Sequence, residues 1–245
     1  MILPRDIFTG KIPRVYDLIL SRGGVLLPMQ QDMAGNVLAH YPDGSTLGGT
    51  PTPGVDFTPS GQIPRIAGGS PVATFDSSAD RVDFDIPAGD PFQMSTGGTW
   101  VVCFTPGALS TYVVPIQKTS SGTITRNGYV LYVTPAGGLA AIFSNTSSTQ
   151  SQLISPAGTV VAGERLVVIC THDGDRVNIY KNASLVVTAT GMELPSNVAS
   201  PVFIGTNVAK IYSTKGPVEI AATFPGVILI ATERQAIVSN CGPLG

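Results

Sequence analysis

The 245-residue sequence is short of charge. Asp, Glu, Lys and Arg make up only 12% of it, about half the share usual in a soluble protein. The net charge is −2 and no basic run exceeds two residues. Nucleic-acid binding needs clustered positive charge against phosphates, so that class is excluded. No segment is Lys/Arg-rich and amphipathic, as a helix lying on a membrane would be. Apolar runs are short as well: the one at 227–231 falls far below the length that spans a bilayer. The opening MILPRDIFTGKIPRV has no apolar core and is broken early by Pro and charge, which predicts synthesis in a cytoplasm without a secretory leader. The three cysteines, Cys103, Cys170 and Cys241, are odd in number and lack metal-ligand spacing. Cys103 and Cys170 fall inside apolar runs, where a thiol behaves as a small buried hydrophobe.

What is present is material for strands and turns. Hydrophobic residues reach 43%, with 28 Gly and 20 Pro, a composition of many short strands joined by tight turns. The length suits one large β-sandwich or two small domains. Residues 1–30 stand apart as an arm. Pro13 followed by Val15, Leu18 and Ile19 has helical spacing, and Gly23-Gly24 gives a stop. Such a short helix either packs on its own domain or docks on a partner through Val15, Leu18 and Ile19. Residues 31–70, rich in Gly, Pro, Asp and Thr, form a loop-rich lead-in with two short edge strands. From there β-branched and aromatic runs follow one another at 72–75, 81–86, 99–105, 111–117, 128–134, 139–143, 165–171, 176–181, 185–190, 201–205 and 218–231. Asp173-Gly174-Asp175 and Asn182-Ala183 supply two hairpin turns, and 231–240 supplies one or two helical turns. Strands in that number with no helices between them close as a sandwich.

Few residues suit catalysis. A retaining glycosidase needs two carboxylates about 5–5.5 Å apart. The four glutamates, Glu164, Glu193, Glu219 and Glu233, are scattered, and none pairs with another carboxylate at i+2 or i+4. Asp83 and Asp85 alternate on one strand with Asp80 just before it. A solvent-facing strand explains them, and a Ca²⁺ site is the alternative, since carboxylate oxygens suit that hard cation. His40 and His172 each lie beside turn residues, and no Gly-x-Ser-x-Gly elbow, Walker motif or dinucleotide fingerprint occurs. Sugar binding needs exposed aromatics with a few fixed polar groups. Trp100 reads as core. Tyr112, Tyr129, Tyr132 and Tyr180 lie on strands whose exposed face alternation does not settle. Tyr41 and Tyr212, in loop-like surroundings, are the ligand-binding candidates.

The order of these elements resembles the concanavalin A-like lectin/glucanase jelly roll, in its laminin-G-like branch, over roughly 72–240. VATFDSSADRVDFDIP (72–87) is similar to the opening strand pair, GTWVVCFTP (98–106) to the next long strand, and THDGDRVNIYKNASLV (171–186) to the central hairpin. FIGTNV (203–208) and FPGVILIATERQAIVSN (224–240) resemble the closing part. The pattern departs from the family where Ala183, not Gly, follows Asn182, and where 165–171 lacks an aromatic. The resemblance implies an all-β, two-sheet antiparallel jelly-roll sandwich over residues 31–245, preceded by the short N-terminal helix or arm. It implies a non-enzymatic structural protein of a virion, a bacteriophage capsid decoration or head/tail fibre component. Its partners would be the major capsid protein or a fibre or tail protein, in a homo-oligomer such as a trimer. The alternative is a lectin-like carbohydrate-binding module for host-surface attachment. No cofactor other than Ca²⁺ is suggested.

Overall fold

The structure is a computed structural model that describes residues 13–29, 36–53, 55, 73–77, 79–119, 127–145, 150–207, 209 and 212–241, with side chains from Asp17 onward. A helix, α1 (Pro13–Ser21), leads into β1 (Val25–Pro28), β2 (Val37–His40) and β3 (Thr46–Pro51). After them come β4 (Ala73–Phe75) and β5 (Val82–Phe84), a 3-10 turn at Pro91–Gln93, and β6 (Gly98–Phe104). Next are β7 (Val113–Lys118), β8 (Tyr129–Val133), β9 (Leu139–Ser144), β10 (Gln150–Ile154) and β11 (Leu166–His172). The chain ends through β12 (Val177–Lys181), β13 (Ser184–Ala189), β14 (Val202–Ile204), β15 (Gly216–Pro225) and α2 (Ala231–Cys241).

Every pairing among these strands is antiparallel, and they form the two layers of a jelly-roll sandwich. The first sheet runs β3-β2-β1-β15-β6-β11-β12-β13, with β4 also paired to β15; the second runs β10-β9-β8-β7-β14-β5-β3. Strand β3 belongs to both, because its first part pairs with β2 while Thr50 and Pro51 pair with β5. Gly48-Gly49 lies at this corner. A Cβ on Gly49 would stand 2.4 Å from the Phe84 ring, so glycine is required for the strand to cross so close to the core. The expected edge strands of the lead-in are thus a seam that joins the layers.

Between the sheets lies a core in which Trp100 meets Tyr129 and Phe143 at ring centroids of 5.3 and 5.2 Å. The Asn182-Ala183 turn has φ of 49° and 66°, the mirror-image geometry that matches hairpin twist. Ala183 holds it without the glycine freedom that the family pattern has there. Two strands escaped the sequence pattern. β1 is four residues and follows a helix directly, and β10 is polar apart from Leu153 and Ile154. The last strand stops at Pro225, short of the expected 231.

The outer face of the first sheet is apolar. Leu26, Val101, Cys103, Val167, Ile169 and Phe224 lie there beneath Ile19 of α1 and Ile237 and Cys241 of α2. Glu233 accepts the Ile230 N–H at 3.0 Å, satisfying an orphan donor at the start of α2. It also pairs with Arg22 at 2.7 Å, tying α2 to the end of α1. The arm expected at 1–30 is therefore divided differently. Ile19 is fully buried on the chain's own sheet, Leu18 is partly buried against it, and β1 is an inner strand between β15 and β2. Of the two readings of this helix, packing on its own domain is the one that Ile19 and Leu18 follow. The side chain of Val15 lies outside the described residues.

Candidate functional site

The outer face of the second sheet is built differently from that of the first: among the described residues, 205–207 and 212–214 lie against it, joined by the bridge between Thr206 and Ser213. Val114, Val130, Tyr132, Ala140 and Ile142 form its apolar floor. Pairing of β7 with β8 slips between Val113 and Ile116, a bulge that holds Pro115, the kind of strand position where a missing N–H is tolerated. The carbonyls of Val114 and Pro115, within this bulge, are both used. Gly205 N–H donates to Pro115 O at 3.1 Å, and the Thr214 hydroxyl donates to Val114 O at 3.2 Å. Gly205 and Thr214 are thereby rooted on the sheet. Gly205 takes a φ of +94°, and a Cβ there would fall 2.1 Å from the Phe75 ring.

That root carries Tyr212. Its N–H donates to the Asn207 side-chain oxygen at 3.0 Å, its C=O accepts from Asn207 N–H at 3.1 Å, and the Thr206 hydroxyl donates to the same carbonyl. So fixed, the Tyr212 ring meets Tyr112 at a centroid distance of 5.0 Å and 66°, and Tyr112 meets Tyr132 at 5.7 Å and 62°. The three rings border a cavity of about 190 Å³ lined by Tyr112, Val114, Val130, Tyr132, Ile142, Gln152, Asn207 and Tyr212. Tyr112 is 38% exposed and Gln152 is exposed, whereas Tyr132 and the floor are buried. The Gln152 amide donates to the Tyr132 hydroxyl. Burial pushes the Tyr132 phenol up in pKa and the Gln152 bond opposes this in part. Among the described residues, no lining side chain bears a charge.

Tyr41, the other tyrosine singled out from sequence, is not part of this site. It is half-buried against the inter-sheet core, and its hydroxyl donates to Asp90 at 3.0 Å. Burial and the Asp90 carboxylate hold its phenol well above the ordinary range. Asp90 in turn caps the 3-10 turn by accepting the Phe92 N–H at 2.7 Å, so Tyr41 serves a structural joint. Tyr129 is core and Tyr180 carries the Arg234 guanidinium on its face at 4.1 Å. Tyr112 and Tyr132 were legible as aromatics but not as neighbours. Their meeting depends on the β7 bulge and on β8 register, and the one cue in sequence was Pro115 inside a strand.

The aspartates do not converge. Asp80 is buried and accepts the N–H groups of Asp76 and Ser77 at 3.0 and 2.7 Å, Asp83 pairs with Arg81 at 2.8 Å, and Asp85 is exposed. Of the three carboxylates weighed for Ca²⁺, one thus closes a turn and one is matched by a guanidinium. No group of three or more His, Cys, Asp or Glu able to hold a metal occurs among the described residues. Glu164 and Glu219 are likewise held in ion pairs, with Lys181 at 2.6 Å and Arg165 at 2.5 Å.

A family model described as the concanavalin A-like lectin/glucanases superfamily matches residues 76–227. No curated protein matches the chain in sequence. Among solved structures, the binding domain of botulinum neurotoxin DC in complex with SialylT superposes with a TM-score of 0.64 at 10% identity, covering 89% of this chain and 51% of that one. The botulinum neurotoxin serotype D ligand binding domain in complex with N-acetylneuraminic acid gives 0.63 at 11% identity, covering 92% and 52%. The CBM40 of a Ruminococcus gnavus IT-sialidase, bound to alpha2,3 sialyllactose, gives 0.49 at 16% identity, covering 62% and 94%. The chain thus spans about half the length of the neurotoxin chains it matches, and at these identities the likeness is one of fold.

Proposed function

The chain belongs to the concanavalin A-like lectin/glucanase superfamily, and from that premise we propose that it is a non-catalytic carbohydrate-binding module whose ligand site is the tyrosine-lined cavity on the second sheet. The observation that carries this is the contact of Tyr112, Tyr132 and Tyr212 around a concave, largely apolar space with the Gln152 amide at its border. Sugars present C–H faces that pack on aromatic rings and hydroxyls that need a few placed amides. Further support is of fold alone: neurotoxin domains with the same architecture were solved with a sialylated ligand and with N-acetylneuraminic acid. The non-enzymatic reading rests on chemistry, since no carboxylate lines the cavity among the described residues.

The virion setting is retained as the proposed place of action. On a bacteriophage particle such a module would mediate attachment to a host-surface glycan, in an oligomer fixed to capsid or tail proteins. Counting copies of the chain in purified particles by mass spectrometry tests that setting by itself.

The site is tested by titrating the intact chain with a glycan panel, followed by NMR shifts or calorimetry. Tyr212→Ala and Tyr112→Ala should each weaken the best ligand by about tenfold or more, with little change in melting temperature for the exposed Tyr112. Binding should survive a chelator, because no metal is invoked. A panel without any binder, or a binder indifferent to both substitutions, overturns the assignment.

A further inference from the structure

We infer that this cavity accepts a single uncharged pyranose end-on, and not an extended polysaccharide or an acidic sugar. The inference rests on the carbohydrate-binding reading above and concerns which class of glycan the same site selects.

Ring geometry gives the first argument. A flat glycan chain lies along aromatic rings that share a plane, each ring stacking one sugar. Here the neighbours of Tyr112 stand at 66° and 62° to it. Steeply inclined rings make a corner instead of a strip. A corner presents faces and edges to one sugar from two sides and offers no coplanar strip on which successive sugars of a chain would stack.

Size gives the second. The cavity of about 190 Å³ is smaller than the roughly 300–1,000 Å³ common for drug-sized ligands. It has room for one ring above the floor of Val114, Val130 and Ile142. That floor suits the apolar side of a pyranose. The hydroxyl-bearing side then meets Gln152, which is exposed at the border with its amide already oriented by the Tyr132 hydroxyl.

Charge gives the third. The described lining residues are aromatic, aliphatic or amide, and burial keeps the Tyr132 phenol protonated. A sugar carboxylate placed here would give up water without a cation to replace it, which is costly. Neutral sugars need no such partner. The inferred preference therefore departs from the sialylated ligand and N-acetylneuraminic acid found with the neurotoxin domains of similar fold.

The test uses the intact chain and three sets of probes. They are methyl glycosides of glucose, galactose, mannose and N-acetylglucosamine, neutral hexasaccharides of the same sugars, and N-acetylneuraminic acid with 3'-sialyllactose. One neutral glycoside should bind within about threefold of its hexasaccharide, and N-acetylneuraminic acid should bind at least about tenfold more weakly. The Tyr112→Ala protein should lose this binding while keeping its fold. Affinity that climbs more than about tenfold with chain length, or that favours the acidic sugar, overturns this inference but leaves the site standing if Tyr112→Ala still abolishes it. A chain that binds none of the probes, or binds them equally well with Tyr112→Ala, removes the carbohydrate reading and this inference together.

Discussion

His172 sits edge-on to Phe143, ring centroids 5.1 Å apart at 81°, with both ring nitrogens engaged. Gly174 N–H donates to Nδ1 at 3.1 Å, so the proton resides on Nε2, which donates to Glu193 O at 2.8 Å. Protonating Nδ1 would set two donors against each other. Burial accordingly lowers the pKa, and the Glu193 carbonyl together with Asp173 and Asp175 offsets only part of this. In the unfolded chain the imidazole titrates near its ordinary 6.5. The neutral form in the fold therefore contributes stability that is complete above that pH and is lost as pH falls through 6.5 toward the lower folded value. Urea unfolding should show stability dropping from pH 7.5 toward 5, with a shallower drop in His172→Gln. Equal slopes in the two proteins would show that His172 does not govern the transition. The sequence placed His172 beside a turn. That was right for Asp173, which accepts the Arg176 N–H at 2.8 Å, but the ring itself belongs to the interior.

At the scale of elements, the corner strand β3 is the most exacting. Gly49→Ala puts a methyl group where the Phe84 ring stands. The ring, fully buried, has nowhere to retreat, and overpacking of this kind costs roughly 1–3 kcal/mol. Phe84→Leu should recover part of that loss in the double variant, though it is destabilising alone, because it frees the space the methyl needs. Additive losses in chemical denaturation would mean that the two residues do not compete. The same strand shows why sequence reading reached the fold class more easily than the site. Gly and Thr in 46–51 read as loop because their role is close approach, not packing. The strands β6, β7, β8, β9 and β11 are buried along their whole length, since both sheets are covered outside as well as inside. Their period of two is erased, and continuous apolar runs resulted. The runs were enough to identify strands, as was the Asp-Gly hairpin, but they hid which face each tyrosine takes. Tyr112, Tyr132 and Tyr212 became one site only through the β7 bulge and the bonds that tie Tyr212 to Thr206 and Asn207.

For the whole molecule, the question is what the N-terminal segment contributes. The sequence set residues 1–30 apart as an arm whose removal leaves a folded β-domain, and left open whether its helix packs on that domain or docks on a partner. Two truncations separate the parts that the structure distinguishes. Removing residues 1–24 takes α1 and uncovers Leu26 and Phe224, while leaving every strand paired. Burial of a large apolar side chain such as Ile19 is worth about 1.5–3 kcal/mol, and the uncovered face becomes an aggregation hazard. This chain should fold with a lowered melting temperature and bind a hydrophobic dye. Removing residues 1–30 also takes β1, whose partners Thr223, Ala222, Ala221 and Ile220 belong to the central strand β15. The backbone groups of β15 on that side then have no partner, and β2 loses its link to the rest of the first sheet. The longer truncation should therefore fail to give a cooperative transition by circular dichroism, while the shorter one keeps it. Native-like melting in both would mean that the β-domain starts after residue 30 and that the first strand is dispensable. Collapse of both would place α1 itself within the folding unit, as essential as the strand it precedes.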